Sequence, residues 1–102
     1  MKSHKYQIRV TRVEDRDGQP TDGPSLEFTA ANHDELTEIV ALIQAKGPFA
    51  TDDAAAFALG LKLFGETILT HKNLELFSEI RPQFMAFMKR LKASFKESEQ
   101  AA

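Results

Sequence analysis

The segment AAAFALGLKLFGE, residues 54–66, has apolar side chains at the spacing of a helix that buries one face. Phe57, Leu61 and Phe64 fall on one stripe, and Ile68 continues it beyond the segment. We therefore predict a long helix near the middle of the chain, with this stripe in the hydrophobic core. The segments before and after it must supply the surfaces against which it packs.

Two glycines interrupt this helix, and each costs about 1 kcal/mol relative to alanine. Gly65 lies at the edge of the core stripe, where a neighbouring backbone could come close, whereas Gly60 lies outside the stripe on the opposite side. We therefore predict that Gly65→Ala destabilises the fold and that Gly60→Ala is neutral or stabilising.

A second apolar surface of the same helix is formed by Leu59 and Leu63, which lie on a different side from the core stripe. A helix that rests on one surface has no need of such a ridge. The ridge predicts a second contact, either with another element of the chain or with a partner.

The beginning of the chain has the alternation of apolar and polar residues that is typical of strands. A first run has its apolar residues at Tyr6, Ile8 and Val10, and a second run, after a connection rich in glycine and proline, has them at Leu26, Phe28 and Ala30. Two such runs joined by turn residues predict an antiparallel β-hairpin.

Two further helices flank the central one. The first is predicted to begin at Asn32, with Glu35 completing a capping box, and to end at Gly47. Thr51 is predicted to cap the central helix, and Pro82 is placed in the first turn of the last helix. The predicted fold is α+β, a hairpin followed by three helices (ββααα) in two layers, with a sheet that a second copy could complete.

Composition sets further limits. The chain of 102 residues contains no cysteine, which excludes disulfides and thiolate chemistry. It has no apolar run like that of a signal peptide or a membrane span, so we predict a cytoplasmic protein without membrane contact. One globular domain over residues 1–96 and a frayed tail over 97–102 are expected.

Several segments together resemble a family of small bacterial proteins classed as a domain of unknown function. They are NHDEL, AAAFALGLKLFGETIL and IRPQF, which occur in the expected order. The resemblance extends over about Lys5 to Lys92 and implies a compact α+β protein. It implies no catalytic or binding residues, since none are assigned in that family.

The residues themselves give no pattern typical of catalysis, a metal site or a cofactor site. His4, His33 and His71 lack the spacing of a metal motif, and no serine has the context of a nucleophile. His33, Asp34 and Glu35 form the densest polar cluster, which could bind a cation or a basic partner, although capping alone explains acids in a first helical turn. We leave enzymatic activity open and favour its absence.

The leading hypothesis is a non-enzymatic interaction domain, either a homodimer or an adaptor with an unidentified protein partner. One alternative is a small-molecule-binding domain or enzyme with a pocket near the second helix. Another is nucleic-acid binding through the basic face of the first strand, which an acidic middle of the chain and a pI of about 5.9 disfavour. The candidate interaction surface comprises Lys5, Arg9, His33, Asp34, Glu35, Leu59 and Leu63.

Overall fold

The computed structural model describes residues 2–101, with side chains to residue 95. The chain divides into two compact units, Met1–Asp34 and Glu35–Ala102. The first unit contains the two strands and the second contains the helices. The prediction of a hairpin followed by three helices, an α+β fold, is thereby confirmed.

The first unit is an antiparallel hairpin of β1 (His4–Thr11) and β2 (Ser25–Asn32). Its register places apolar residues opposite each other on one face, with Ile8 opposite Phe28 and Val10 opposite Leu26. Since side chains alternate between the faces of a strand, the intervening residues form a polar face. The predicted alternation of both strands thus agrees with the observed pairing.

The connection between the strands is built around Asp15. Its carboxylate accepts hydrogen bonds from the backbone N–H groups of Asp17 and Gln19, both at 2.9 Å. Gly18 adopts a φ of 81°, a left-handed conformation that glycine reaches without a steric penalty. A further bridge between Glu14 and Pro20 extends the pairing beyond the two strands. The long connection is therefore shaped by local hydrogen bonds.

Helix α1 (Leu36–Lys46) begins later than the sequence predicted. Its N-cap is Glu35, whose carboxylate accepts a hydrogen bond from the backbone N–H of Thr37. Asn32 instead ends β2, is 1% exposed, and accepts a hydrogen bond from the N–H of Asp34 through its side-chain oxygen. The predicted capping box is wrong because the strand continues through Asn32, whose side chain stabilises the turn that follows.

Helix α2 (Thr51–Thr70) packs against α1 through small residues. Ala54 and Ala58 are fully buried, and they form the core with Ile43 of α1. Alanines at positions i and i+4 lie on one face of a helix and allow a neighbouring helix to come close. The helix begins at Thr51, but its N-cap is Ala50, without a side-chain hydrogen bond, so the prediction of Thr51 as the cap is wrong.

The core stripe of α2 differs in part from the predicted one. Ile68 is buried, and Phe57 packs against the core, but Phe64 is 42% exposed. The fully buried row is instead that of Ala54 and Ala58. A wheel gives the direction of each side chain but does not show which row the neighbouring helix covers.

The chain continues through a 3₁₀ turn (Glu75–Phe77) into α3 (Ile80–Ala101). Pro82 lies in the first turn of α3, as predicted. At this position a backbone N–H would have no partner within the helix, so proline costs no helical hydrogen bond. The side chains of the predicted tail, 97–102, and all of residue 102 lie outside the described residues. Among the described helices, none has the length and apolar character needed to cross a bilayer.

Candidate functional site

The polar face of the hairpin carries the predicted basic residues Lys5 and Arg9 on the same side of β1. Arg9 lies opposite Glu27, and the two side chains form an exposed ion pair at 3.3 Å. Gln7 also donates a hydrogen bond to Glu27. An exposed pair of this kind adds at most about 1 kcal/mol of stability. It does reduce the net positive charge that this face offers to a phosphate backbone.

On the apolar face of the hairpin, the side chains near the connection between the strands are exposed to solvent. Val10, Leu26 and Phe28 are 57%, 59% and 40% exposed, respectively. Val10 and Leu26 are directly opposite each other in the register, and Phe28 is the next apolar residue along β2. We call these three residues the hairpin patch. A contiguous apolar surface is typical of an interaction site, whereas single exposed apolar side chains are common on any protein surface.

The predicted polar cluster at the end of the hairpin has local structural roles. His33 Nε2 lies 3.8 Å from Asp34 Oδ1, and the Tyr6 hydroxyl donates a hydrogen bond to the Asp34 carbonyl. Glu35 caps α1 and also accepts a hydrogen bond from the Thr37 hydroxyl. Within the described part of the chain, no group of three histidine, cysteine, aspartate or glutamate residues could hold a metal ion.

The predicted ridge on α2 is less accessible than the hairpin patch. Leu59 and Leu63 are both partly buried. They lie one turn apart on the helix, as their spacing requires. The ridge therefore offers less free apolar surface to a partner than the sequence suggests.

Aromatic rings join α2 to α3. Phe64 meets Phe84 edge-on at a centroid distance of 5.4 Å, and Phe57 meets Phe87 edge-on at 6.4 Å. This geometry brings the positive edge of one ring to the negative face of the other. Gly65 leaves room for the ring of Phe84, whose edge would lie 3.1 Å from a Cβ atom at position 65. The neighbour at Gly65 is thus a side chain, not the backbone that the sequence led us to expect.

A small cleft opens among the three helices, and we call it the three-helix cleft. Its volume is about 80 Å³. Buried side chains of the α1–α2 core contribute to its lining, and two lysines, Lys62 of α2 and Lys92 of α3, also line it. The apolar lining residues are Ile39, Leu42, Ile43, Ala58, Leu61, Met88, Leu91 and Phe95.

Sequence reasoning allowed a pocket near the second helix only as an alternative, and it assigned to that pocket none of the residues that line this cleft. Its apolar residues have ordinary helical spacing, which is equally expected of a filled core, and Lys92 has an alternative role as a cation near a helix C-terminus. Sequence reasoning also assigned no role to Arg81. Its side chain donates a hydrogen bond to the Lys72 carbonyl and so links α3 to the turn after α2. Its Nε is buried without a hydrogen-bond partner.

Comparison with known proteins identifies the chain's relatives. A family model described as a domain of unknown function with a solved structure, DUF3861, matches residues 4–93. The chain belongs to the DUF3861 family. This confirms the resemblance inferred from the sequence, and the match extends over the hairpin and most of the helical unit.

A solved crystal structure supports the same fold. The crystal structure of a protein of unknown function (eca1910) from Pectobacterium atrosepticum SCRI1043 matches with a TM-score of 0.78 and 30% sequence identity. The match covers 90% of this chain and 99% of that protein. No curated protein matches the chain. The DUF3861 relationship thus gives the fold, and the function must be argued from the surfaces described above.

Proposed function

We propose that this DUF3861 protein is a non-enzymatic interaction domain that forms a homodimer through the hairpin patch. The observation that carries the proposal is the exposure of Val10, Leu26 and Phe28 on one face of a sheet that has only two strands. The proposed setting is the bacterial cytoplasm. A bacterial relative and the absence of cysteine support that setting.

The small size of the sheet favours a second copy as the partner. A hairpin of two strands is marginally stable by itself, and each strand has an unpaired edge. Association of two hairpins through their apolar faces would cover the exposed side chains of the patch. In a twofold dimer the same patch occurs on both copies, so an apolar patch can be complementary to itself.

The charges of the hairpin are compatible with self-association. Two of the charged residues of its polar face, Glu27 and Arg9, already pair within one copy, and Lys5 adds one further positive charge to that face. The pair lowers the like charge that two copies would bring together. A partner of strongly opposite charge would find little to recognise on this face.

Sedimentation equilibrium over a wide concentration range tests the proposal. We expect the wild-type protein to form dimers and Leu26→Asp to be monomeric, because the aspartate would have to lose its water shell in the interface. Leu76→Asp is the matched control. Leu76 is 79% exposed in the helical unit, so the same substitution there should leave the dimer intact.

The folded state of each variant is checked by circular dichroism. If Leu26→Asp fails to fold, Val10→Thr replaces it, since this change adds a hydroxyl at almost unchanged shape and should weaken the dimer. A wild-type protein that is monomeric at every concentration contradicts the proposal. An equal loss of dimer in the Leu26 and Leu76 variants contradicts the assignment to the hairpin patch.

A further inference from the structure

Helix α3 carries two exposed lysines that have no acidic neighbour along the helix. They are Lys89 and Lys92, and residues 80–95 contain no aspartate or glutamate. Among the described residues, neither lysine forms an ion pair with an acid from another element. Their ammonium groups, about one helical turn apart, are therefore available to an anionic partner.

Met85 lies on the same side of α3 as these lysines and is 63% exposed. At about 100° per residue, Met85, Lys89 and Lys92 fall within an arc of about 60° around the helix. We call these three residues the α3 face. A methionine adapts its shape to different apolar partners, and methionines are frequent at binding surfaces for that reason. The α3 face thus combines an apolar contact with two positive charges.

We infer that the α3 face binds an acidic amphipathic helix of a protein partner. Its residues stand at i, i+4 and i+7, the spacing of the anchors by which amphipathic helices are recognised. Over this spacing α3 rises by about 10 Å, so a helix alongside it can present an apolar residue to Met85 and carboxylates to both lysines. The α3 face lies in the helical unit and the hairpin patch in the other unit, so the inference is independent of the proposed dimer.

The chemistry of lysine suits carboxylates that are not held in one fixed geometry. Its ammonium group is a mobile point charge on a flexible stem, and it needs no planar, bidentate partner. Exposed ion pairs contribute little individually and are weakened by salt. The contact should therefore be weak and reversible at high salt, with the apolar contact at Met85 less affected than the ion pairs.

A nucleic acid matches the α3 face less well than an acidic helix does. Duplex DNA carries one negative charge per about 1.7 Å of its length, and the whole chain has a net charge of −2, which opposes such a dense anion. No aromatic residue shares the arc of the α3 face, so bases would find no stacking platform there. The exposed Met85 would also have no partner on a phosphate backbone.

NMR titration of the Met85 methyl group tests the inference. The probe is a synthetic helical peptide with glutamate and leucine on one face, and the comparison peptide has glutamine in place of each glutamate. The glutamate peptide should give a saturable shift of this methyl group and should bind at least about threefold more tightly than the glutamine peptide at low salt. Met88 is an internal reference, since it lines the three-helix cleft and should shift less.

Substitutions at exposed positions of α3 locate the contact. Lys89→Gln and Lys92→Gln should each weaken binding of the glutamate peptide by about two- to fivefold and change binding of the glutamine peptide little. Arg90→Gln is the matched control, because it removes the same charge from an exposed residue that lies about 160° from Lys92 around the helix. It should weaken binding less. Met85→Ala should weaken both peptides alike, because both present leucine, and circular dichroism checks that each variant is folded.

The inference fails if the Met85 methyl group shows no saturable shift, if the two peptides bind equally, or if the Arg90 and Lys92 substitutions have equal effects. Shifts confined to the methyl groups of Val10 and Leu26 would place the peptide on the hairpin patch and would also overturn it. A duplex DNA oligonucleotide provides the last comparison. Tighter binding of the DNA than of the glutamate peptide, lost in the same lysine variants, would overturn the choice of partner and assign the α3 face to nucleic acid.

Discussion

The contact between Gly65 and Phe84 gives the sharpest prediction about the fold. A Cβ atom at position 65 would lie 3.1 and 3.2 Å from two carbons of the Phe84 ring, whereas favourable carbon–carbon contacts lie at about 3.5–4.0 Å. The ring would have to move by about half an ångström. Phe64 packs against the same ring edge-on and hinders that movement.

The magnitude follows from two opposing terms. Excess volume in a packed site costs about 1–3 kcal/mol. Replacing a helical glycine by alanine returns about 1 kcal/mol. Gly65→Ala should therefore destabilise the protein by up to about 2 kcal/mol. At Gly60 a Cβ atom meets nothing within 4 Å, so Gly60→Ala should stabilise it by about 1 kcal/mol.

The difference between Gly65→Ala and Gly60→Ala isolates the effect of the contact with Phe84, because both variants gain the higher helix propensity of alanine. Urea unfolding should show free energies of unfolding that differ by about 1–3 kcal/mol between them. At least about 4 °C should separate their melting temperatures. Equal stabilities would refute the reasoning. In a Phe84→Leu background the difference should shrink, since the ring edge that meets position 65 is gone.

Two further predictions concern local hydrogen bonds. Glu35→Ala should lower the free energy of unfolding in urea by about 1 kcal/mol, because α1 loses the carboxylate that accepts a hydrogen bond from the Thr37 backbone N–H. Glu38→Ala is the control and should lower it by less, because Glu38 is not the cap. Asp15→Ala should accelerate amide hydrogen exchange at Gln19, because the backbone N–H of Gln19 donates a hydrogen bond to the Asp15 carboxylate. Unchanged exchange at Gln19 would contradict the role of Asp15 in the turn.

Periodicity predicted the elements well because it reflects burial within each element. The alternation around Tyr6, Ile8 and Val10 and around Leu26, Phe28 and Ala30 predicted two strands, and these apolar residues are opposite each other in the observed register. The helices also occur where the apolar spacing placed them. Their beginnings were harder to predict, because Asn32 can cap a helix or stabilise a turn after a strand, and sequence spacing allows both.

The candidate site depended on contacts that a single element does not reveal. Phe64 was predicted to be buried by its position on the wheel, but the alanine row occupies the face toward α1. Arg9 was counted as a free positive charge until the register placed Glu27 opposite it. Burial and charge at these positions are set by the residue across from them, which comes from another segment of the chain.

The bond between Tyr6 and Asp34 has a practical consequence. The chain has one tyrosine and no tryptophan, and that tyrosine lies in β1. Intrinsic fluorescence therefore reports on the hairpin unit, and loss of the hydroxyl's bond to the Asp34 carbonyl changes the environment of the fluorophore. Far-ultraviolet ellipticity reports mainly on the helical unit. The protein thus carries its own pair of optical probes, and recording both through one denaturation reveals whether the two units melt together.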